Sequence, residues 1–272
     1  MAISGSGSQG NPYIVDTWAD FEMVNTEANQ NKYVEFSNPG SVELVALHRD
    51  GLDGFDFWPH INGNGFNVKN LYLVGSNPVV FHNEVRNLNI LNFCYVGTAD
   101  CIFYFKGDTD FLNINGITLC ESTNILKFDE NVLLWNSSIS VVVKSSDFLL
   151  IKGNYGGITY SRVNLWVQSD TAAFTENNTS PTISFSTFTG YIYSPNISNL
   201  FVNSNTFEYN VYDLTLSSST TIPSGGSNLS SASIYNNEKM TVTTASNNII
   251  GCSSDQMIDS EYLRQHGFAM AY

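Results

Sequence analysis

Short stretches of alternating apolar and polar residues recur along this chain at a nearly constant interval. Residues 88–95, LNILNFCY, and residues 112–119, LNINGITL, align position for position at an offset of 24 residues. With Phe93 and Ile117 as anchors, apolar residues occupy equivalent positions at Leu71, Ile139, Val163, Phe188, Phe207 and Ile249. A period of this length predicts a solenoid, in which each repeat forms one coil.

The columns around the anchors strengthen this prediction. The position five residues before the anchor is apolar in seven of eight repeats, and the position two residues before it is Asn or Ser in six of eight. The first column predicts an inward-facing strand residue, and the second predicts a turn. In this register Leu88, Phe93 and Tyr95 should point inward and stack on the next coil, while Asn89 and Asn92 should face outward. The expected partners in the next coil are Leu112, Ile117 and Leu119.

Side-chain shape favours a parallel β-helix over a leucine-rich repeat. The inward columns mix Ile, Val, Phe, Tyr and Leu, and no segment between the turns has helical spacing. β-branched and aromatic residues fit short strands that pair with the coils above and below. We therefore expect an all-β protein with a single right-handed parallel β-helix of about nine coils of about 22 residues each.

The two ends depart from the repeat. Residues 1–30 predict a Gly- and Ser-rich arm, a short strand at Tyr13–Val15, and a helix capped by Thr17. Trp18, Phe21 and Val24 would form the apolar side of this helix, which would cover the open end of the β-helix, residues 31–252. Residues 253–272 predict a short C-terminal helix and tail.

Composition narrows the classes of partner. The formal net charge is -14, with 11 Lys and Arg against 25 Asp and Glu, which argues against nucleic acid. No apolar run reaches the length of a membrane span, and the N-terminus lacks the features of a secretory signal. We expect no membrane insertion, no cofactor and no metal. The cysteines lack CxxC spacing and predict buried free thiols at Cys94, Cys101, Cys120 and Cys252.

The densest acidic cluster contains the candidate catalytic residues Asp50, Asp53 and Asp56. Paired carboxylates on a β-helix wall can hydrolyse a glycosidic bond, one as the acid and the other as base or nucleophile. Aspartates beside Gly51 and Gly54 are equally typical of a solvated turn. Calcium binding is a third interpretation, although the loop lacks the terminal Glu of an EF-hand. The sequence leaves enzymatic activity uncertain and leans against it.

Three aromatic residues fall at outward positions, namely Trp135, Trp166 and Tyr193. Their rings could stack on the sugar rings of a bound carbohydrate. They could also be buried against a neighbouring subunit or pack within the chain, and the sequence leaves these three interpretations open.

The opening GSGSQGNPYIV is a glycine-rich phrase that leads into the amphipathic segment TWADFEMVN, and the chain closes with MIDSEYLRQHGFAMAY. Between them, INGNGFNVKNLYL contains the first anchor of the repeat. These phrases resemble the start, the ending and the first coils of β-helical virion appendage proteins of tailed phages and prophages of gut bacteria. The resemblance implies a virion structural protein, a head or tail fibre or decoration protein, that assembles as a homotrimer.

From these observations we expect a protein of the virion that contributes to host-surface attachment or to virion assembly. Its partners would be other copies of itself, other virion proteins and a host-surface glycan. Two alternatives remain open. One is a tailspike-like glycan depolymerase, a hydrolase or lyase, and the other is a bacterial surface adhesin, which the missing secretory signal disfavours.

Overall fold

The protein is a parallel β-helix, which confirms the fold predicted from the repeat. The computed structural model describes residues 3–43, 52–119, 122–153, 156–175, 181–184, 186–194, 196–197, 207–208, 211–216, 232–233, 241–244 and 249–251. Strands account for 60% of the structure, and they stack as a β-solenoid of about 6 turns.

The regular elements are short and follow one another closely. The helix α1 spans Trp18–Val24, and a 3₁₀ turn spans Glu27–Asn29. The strands are β1 (Tyr13–Val15), β2 (Tyr33–Phe36), β3 (Ser41–Glu43), β4 (Phe55–Phe57), β5 (His60–Lys69), β6 (Tyr72–Gly75), β7 (Val79–Phe81), β8 (Val85–Gly97), β9 (Phe103–Phe105), β10 (Thr109–Asp110), β11 (Asn113–Leu119), β12 (Ser122–Phe128), β13 (Leu133–Trp135), β14 (Ser138–Lys144), β15 (Asp147–Lys152), β16 (Gly157–Thr159), β17 (Arg162–Gln168), β18 (Thr171–Thr175), β19 (Thr182–Ser184), β20 (Thr187–Tyr193), β21 (Asn196–Ile197), β22 (Phe207–Glu208), β23 (Val211–Leu216), β24 (Ala232–Ser233), β25 (Thr241–Thr244) and β26 (Ile249–Gly251).

Parallel pairing arranges these strands in three walls. The first wall runs from β1 and β2 through the beginnings of β5 and β8 to β10, β13, β16, β19 and β22. The second wall contains β6, the ends of β5 and β8, and β11, β14, β17, β20 and β23, with β3 below β5. The third wall stacks β4, β7, β9, β12, β15, β18 and β21.

The first wall reaches nine levels within the described residues, from β1 to β22, whereas about 6 turns are complete. The second wall also reaches nine levels, from β3 to β26, because β26 pairs parallel with β23. The expected nine coils therefore agree with the number of levels in these two walls and exceed the number of full turns. At the C-terminal end, β24 and β25 pair antiparallel, and so do β25 and β26.

Aromatic stacking fills the core behind the third wall. Phe57, Phe81, Phe105 and Phe128 occupy equivalent positions in successive turns, with ring centroids 4.8, 4.9 and 5.3 Å apart. Rings separated by about one strand spacing stack because parallel strands repeat the same inward position every 4.7–4.9 Å or so. The phenylalanines at these positions hence form one continuous column.

The corner between the first and second walls has two repeating features. Asn87, Phe111, Asn136 and Tyr160 adopt positive φ of 53°, 53°, 45° and 49°, which turns the chain within a single residue. Asn136 and Tyr160 are each followed by a buried serine, namely Ser137 and Ser161. The Ser137 hydroxyl accepts the Leu112 N–H at 3.0 Å, and the Ser161 hydroxyl accepts the Ser137 N–H at 3.0 Å. The predicted turn is thus confirmed at Ser137 and Ser161.

One part of the predicted register is wrong. Leu88, Phe93, Tyr95 and Leu112 are buried as expected, but β8 and β11 shift by one residue along their pairing. Phe93 consequently lies opposite Gly116 and not opposite Ile117. Asn92, with φ of 56°, adds a residue to the earlier coil, and an alignment without gaps cannot contain this bulge.

The same bulge displaces the predicted turn in the earlier coils. At the position two residues before the anchor, Lys69 and Leu91 lie within strands, and each is followed by an asparagine of positive φ. Asn115, at the same position in the next coil, lies inside β11. The expected partners also move, since Tyr95 lies opposite Thr118 and not opposite Leu119.

Helix α1 covers the N-terminal end of the core, as predicted. The Thr17 hydroxyl accepts the Asp20 N–H, and Trp18, Phe21 and Val24 are buried. The Phe21 ring lies 5.4 Å from Phe36 and 6.0 Å from Phe57, both of which belong to the first turn. The predicted C-terminal helix, residues 253–272, lies outside the described residues.

Candidate functional site: a groove on the first wall

A small groove opens on the outer face of the first wall. Its volume is about 260 Å³, and it lies between the strands of the first levels and the N-terminal arm, which contributes Gln9 and Pro12. The remaining lining residues are Tyr33, Val34, Glu35, His60, Ile61, Asn62, Glu84, Arg86 and Asn87. Most of these are polar or aromatic, which is the composition of a site that orients a polar ligand.

Strand register explains why these side chains meet. Because alternate residues face outward, Tyr33 and Glu35 of β2 are aligned with His60 and Asn62 of β5. Asn62 is in turn aligned with Arg86 of β8. The same outward column continues through Asp110 to Trp135. The groove therefore lies at the lower end of a polar column that extends up the wall.

His60 has the most constrained surroundings in the groove. Its ring stacks on Tyr33, with centroids 4.3 Å apart and planes 9° apart. Burial lowers the pKa of His60, although the nearby Glu84 carboxylate acts in the opposite direction. The buried Nδ1 has no hydrogen-bond partner. Because Nδ1 is buried, a ligand in the groove would meet the His60 ring and not this unpaired nitrogen.

The charged residues of the groove are partly neutralised. Arg86 donates through Nε to Glu84 Oε1 at 2.8 Å, and its Nη2 donates to the same oxygen. Arg86 is more than half exposed, so this pair borders the groove at its solvent side. Glu35 lines the groove two levels below Arg86. The groove thus contains two carboxylates: Glu84 is bonded to Arg86, and the side chain of Glu35 faces the cavity.

The candidate aspartates lie elsewhere and have structural partners. Asp53 Oδ1 accepts the N–H groups of Ser76 and Asn77 at 2.9 and 3.0 Å, and Oδ2 accepts the Asn77 side chain at 3.1 Å. Asp56 Oδ1 lies 2.7 Å from His82 Nε2 on the third wall. Asp53 therefore holds the turn of the next coil, as a turn aspartate does, while Asp56 bonds a different residue. Asp50 lies outside the described residues.

The three aromatic candidates all face outward, but on two different walls. Trp135 belongs to the first wall, is half-buried, and stacks on Tyr160 with ring centroids 6.2 Å apart. Trp166 and Tyr193 belong to the second wall and are 56% and 52% exposed. Only Trp135 shares a wall with the groove, and the structure does not bring the three rings together.

The residues lining the groove were not among those singled out from the sequence. Three of them, Glu35, Asn62 and Arg86, belong to the outward column that continues through Asp110 to Trp135, at steps of 27, 24, 24 and 25 residues, close to the repeat period. Applying the period to outward polar positions as well as to inward apolar ones would have aligned them.

The thiols and possible metal ligands add no chemistry to the groove. Among the described residues, no group of three or more His, Cys, Asp or Glu side chains could hold a metal ion. Cys101 is a buried free thiol, as predicted, whereas Cys94 is free but only half-buried on the second wall. Cys120 and Cys252 lie outside the described residues. In the described part of the chain, no helix has the length and apolar character needed to cross a membrane.

Comparisons with known proteins leave the geometry as the basis for function. No family model, curated protein or solved structure matches this chain.

Proposed function

We propose that this protein is a structural component of a tailed-phage virion, a head or tail appendage that contributes to host-surface attachment or virion assembly. In this role it works as a homotrimer, bound to other virion proteins and in contact with a host-surface glycan. The groove on the first wall carries the proposal, because it supplies polar and aromatic groups on the outside of an elongated polar column. The resemblance of the two chain ends to those of virion appendages supports the location.

The groove chemistry fits an uncharged sugar. Carboxylates such as Glu35 accept hydrogen bonds from hydroxyl groups, while Asn62 and Arg86 donate them. A cavity of about 260 Å³ lies just below the roughly 300–1,000 Å³ of sites for drug-sized ligands, so it holds one sugar or a chain end. Trp135, two levels above Arg86 in the same column, is placed to stack on a more distant sugar of the same glycan.

Binding of purified host-surface polysaccharide to the full chain tests the attachment role. Isothermal titration calorimetry should detect binding, and Glu35→Gln should weaken it about 10-fold or more, because a hydrogen bond to a charged group contributes about 1.5–3 kcal/mol. Glu130→Gln is the matched control, since Glu130 is an exposed carboxylate outside the groove. Equal weakening by both variants, or no binding by the wild-type chain, would contradict this role.

Labelling of purified phage particles with an antibody against the chain tests the location. Particles that carry the label at the head or tail support the proposal. Label that is confined to the bacterial surface would instead favour the adhesin alternative.

A second candidate function, glycan hydrolysis, is favoured by one observation, namely that Glu35 and Glu84 line the same cavity. Their Cα positions are about 12 Å apart by the usual spacings between strands and residues. Convergent side chains can reduce this to the roughly 6.5–9.5 Å between the carboxyl groups of inverting glycosidases. Release of reducing ends from the bound polysaccharide, abolished by Glu35→Gln and by Glu84→Gln, would establish hydrolysis. Binding of the polysaccharide without release of reducing ends would support attachment and contradict hydrolysis.

A further inference from the structure

One column of the second wall has an apolar residue at every level from β6 to β20. Strand register aligns these residues level by level over six levels. We call this column the apolar ladder, and its members are Tyr72, Cys94, Ile117, Val142, Trp166 and Tyr191. By the usual strand spacing, its five steps extend over about 24 Å.

The second wall also carries most of the exposed apolar side chains. In the described part of the chain, the large apolar residues that are exposed are Met23, Val96, Phe111, Val142, Trp166 and Tyr193. Four of these six lie on the second wall, and the ladder residues Val142 and Trp166 are 48% and 56% exposed. Scattered single residues of this kind are ordinary, but a column aligned along one wall marks an interaction surface.

Charge separates this wall from the rest of the molecule. The chain contains 25 Asp and Glu, yet the described strands of the second wall contain only two of them, Glu43 on β3 and Asp213 on β23, near opposite ends of the wall. The segments between these strands, 66–69, 72–75, 88–97, 113–119, 138–144, 162–168 and 187–193, contain none. Their charged residues are Lys69, Lys144 and Arg162. Two copies of a chain with net charge -14 repel each other. That repulsion is smallest at a surface with few carboxylates.

We infer that the apolar ladder is the contact surface between copies of this chain, with the ladders of a homotrimer meeting around its threefold axis. The partner must present apolar groups at the spacing of the strands over several levels, and a second copy does so by construction. The strand segments of this wall span about 23 Å by 24 Å, or about 550 Å² before side-chain relief. Because a stable interface buries about 800 Å² per partner, the contact uses the full length of the ladder.

This inference rests on the self-assembly included in the proposed function and names the surface responsible for it. The wall leaves the groove free, because the groove residues belong to the first wall. Assembly through the ladder and glycan binding in the groove can therefore be measured separately on the same sample.

Light scattering coupled to size-exclusion chromatography tests the inference on the full chain. The wild-type protein should be oligomeric at micromolar concentration, and Val142→Glu combined with Trp166→Glu should reduce the mass to that of the monomer. Both side chains are about half exposed, so the circular dichroism spectrum should be unchanged. Met23→Glu is the matched control, because Met23 is an exposed apolar residue on α1 and should leave the mass unchanged.

Cross-linking provides a measurement that does not depend on disrupting the interface. Position 142 lies next to the centre of the ladder, so it meets itself or the neighbouring level in either relative orientation of two copies. Val142→Cys in a Cys94→Ser background should give covalent dimers with a short bis-maleimide. Asp147→Cys, an exposed position on the third wall, should not do so in the same background.

A monomeric wild-type chain would overturn the inference, as would an oligomer whose mass survives both ladder substitutions and whose cross-links form equally at positions 142 and 147. Glycan binding by such a monomer would leave the attachment role standing. Loss of glycan binding in an intact oligomer would instead count against the groove.

Discussion

The buried hydroxyl of Ser161 offers the sharpest test of how the corner is held together. This hydroxyl accepts the Ser137 N–H at 3.0 Å and donates to the Thr159 carbonyl at 2.8 Å, and the residue is 1% exposed. Ser161→Ala would leave the Ser137 N–H buried without a partner. An unsatisfied buried group costs about 1–3 kcal/mol, so the free energy of unfolding should fall by that amount.

Urea unfolding followed by tryptophan fluorescence measures this loss, with the slope of the free energy against urea concentration used to confirm an unchanged transition. Ser140→Ala is the matched control. Ser140 is half-buried on the outer face of the second wall and accepts only a weak 3.3 Å bond from Asn164 Nδ2. Its substitution should change stability by no more than about 0.5 kcal/mol. Equal effects of the two substitutions would refute the assignment of a structural role to the buried serine column.

Three further predictions concern the core and the third wall. Phe105→Ala should lower the free energy of unfolding by about 3–5 kcal/mol, because the ring is fully buried between Phe81 and Phe128. A loss below about 1.5 kcal/mol in urea unfolding would contradict this packing. Gly116→Ala should destabilise by about 1–3 kcal/mol in the same assay, since an added Cβ would lie 2.1 Å from Phe93 Cδ1. Gly10→Ala is the control, because a Cβ there meets nothing within 4 Å and the backbone of Gly10 is not in the positive-φ region. Hydrogen bonding to Lys152, with a further contribution from Lys127, lowers the pKa of Asp100. The stability that Asp100 contributes should therefore be present above the unfolded pKa of about 3.9 and be lost as pH falls through the lower folded pKa. Asp100→Asn should consequently flatten the acid limb of a profile of melting temperature against pH.

The fold could be predicted because apolar residues recur along the sequence at the period of the coils. Inward positions such as Leu88 and Leu112 recur one coil apart, since each coil must bury a side chain against its neighbour. The capping helix followed from equally local signals, namely the Thr17 cap and the threefold spacing of Trp18, Phe21 and Val24. The exact register could not be predicted, because an asparagine of positive φ at position 92 adds a residue without changing the apolar pattern.

The candidate site was harder to predict than the fold. Asp53 and Asp56 attracted attention as neighbours in sequence, yet each bonds a different partner in space. Glu35, His60 and Glu84 belong to three successive levels and meet only when the coils stack. Outward polar positions vary more freely than inward ones, because solvent accepts many side chains where the core accepts few, and so their period is difficult to recognise.

The sequence by itself determined the architecture of this protein: the periodic apolar positions lead to stacked parallel strands, and the amphipathic segment near the N-terminus leads to a cap. Only the tertiary structure decided what each wall presents to solvent. It placed Glu35 and Glu84 in one groove on the first wall and aligned Val142 with Trp166 on the second, where the described strands carry carboxylates only at Glu43 and Asp213. The physical reason is that burial constrains each coil separately, whereas a surface is assembled from several coils whose register depends on bulges and corners.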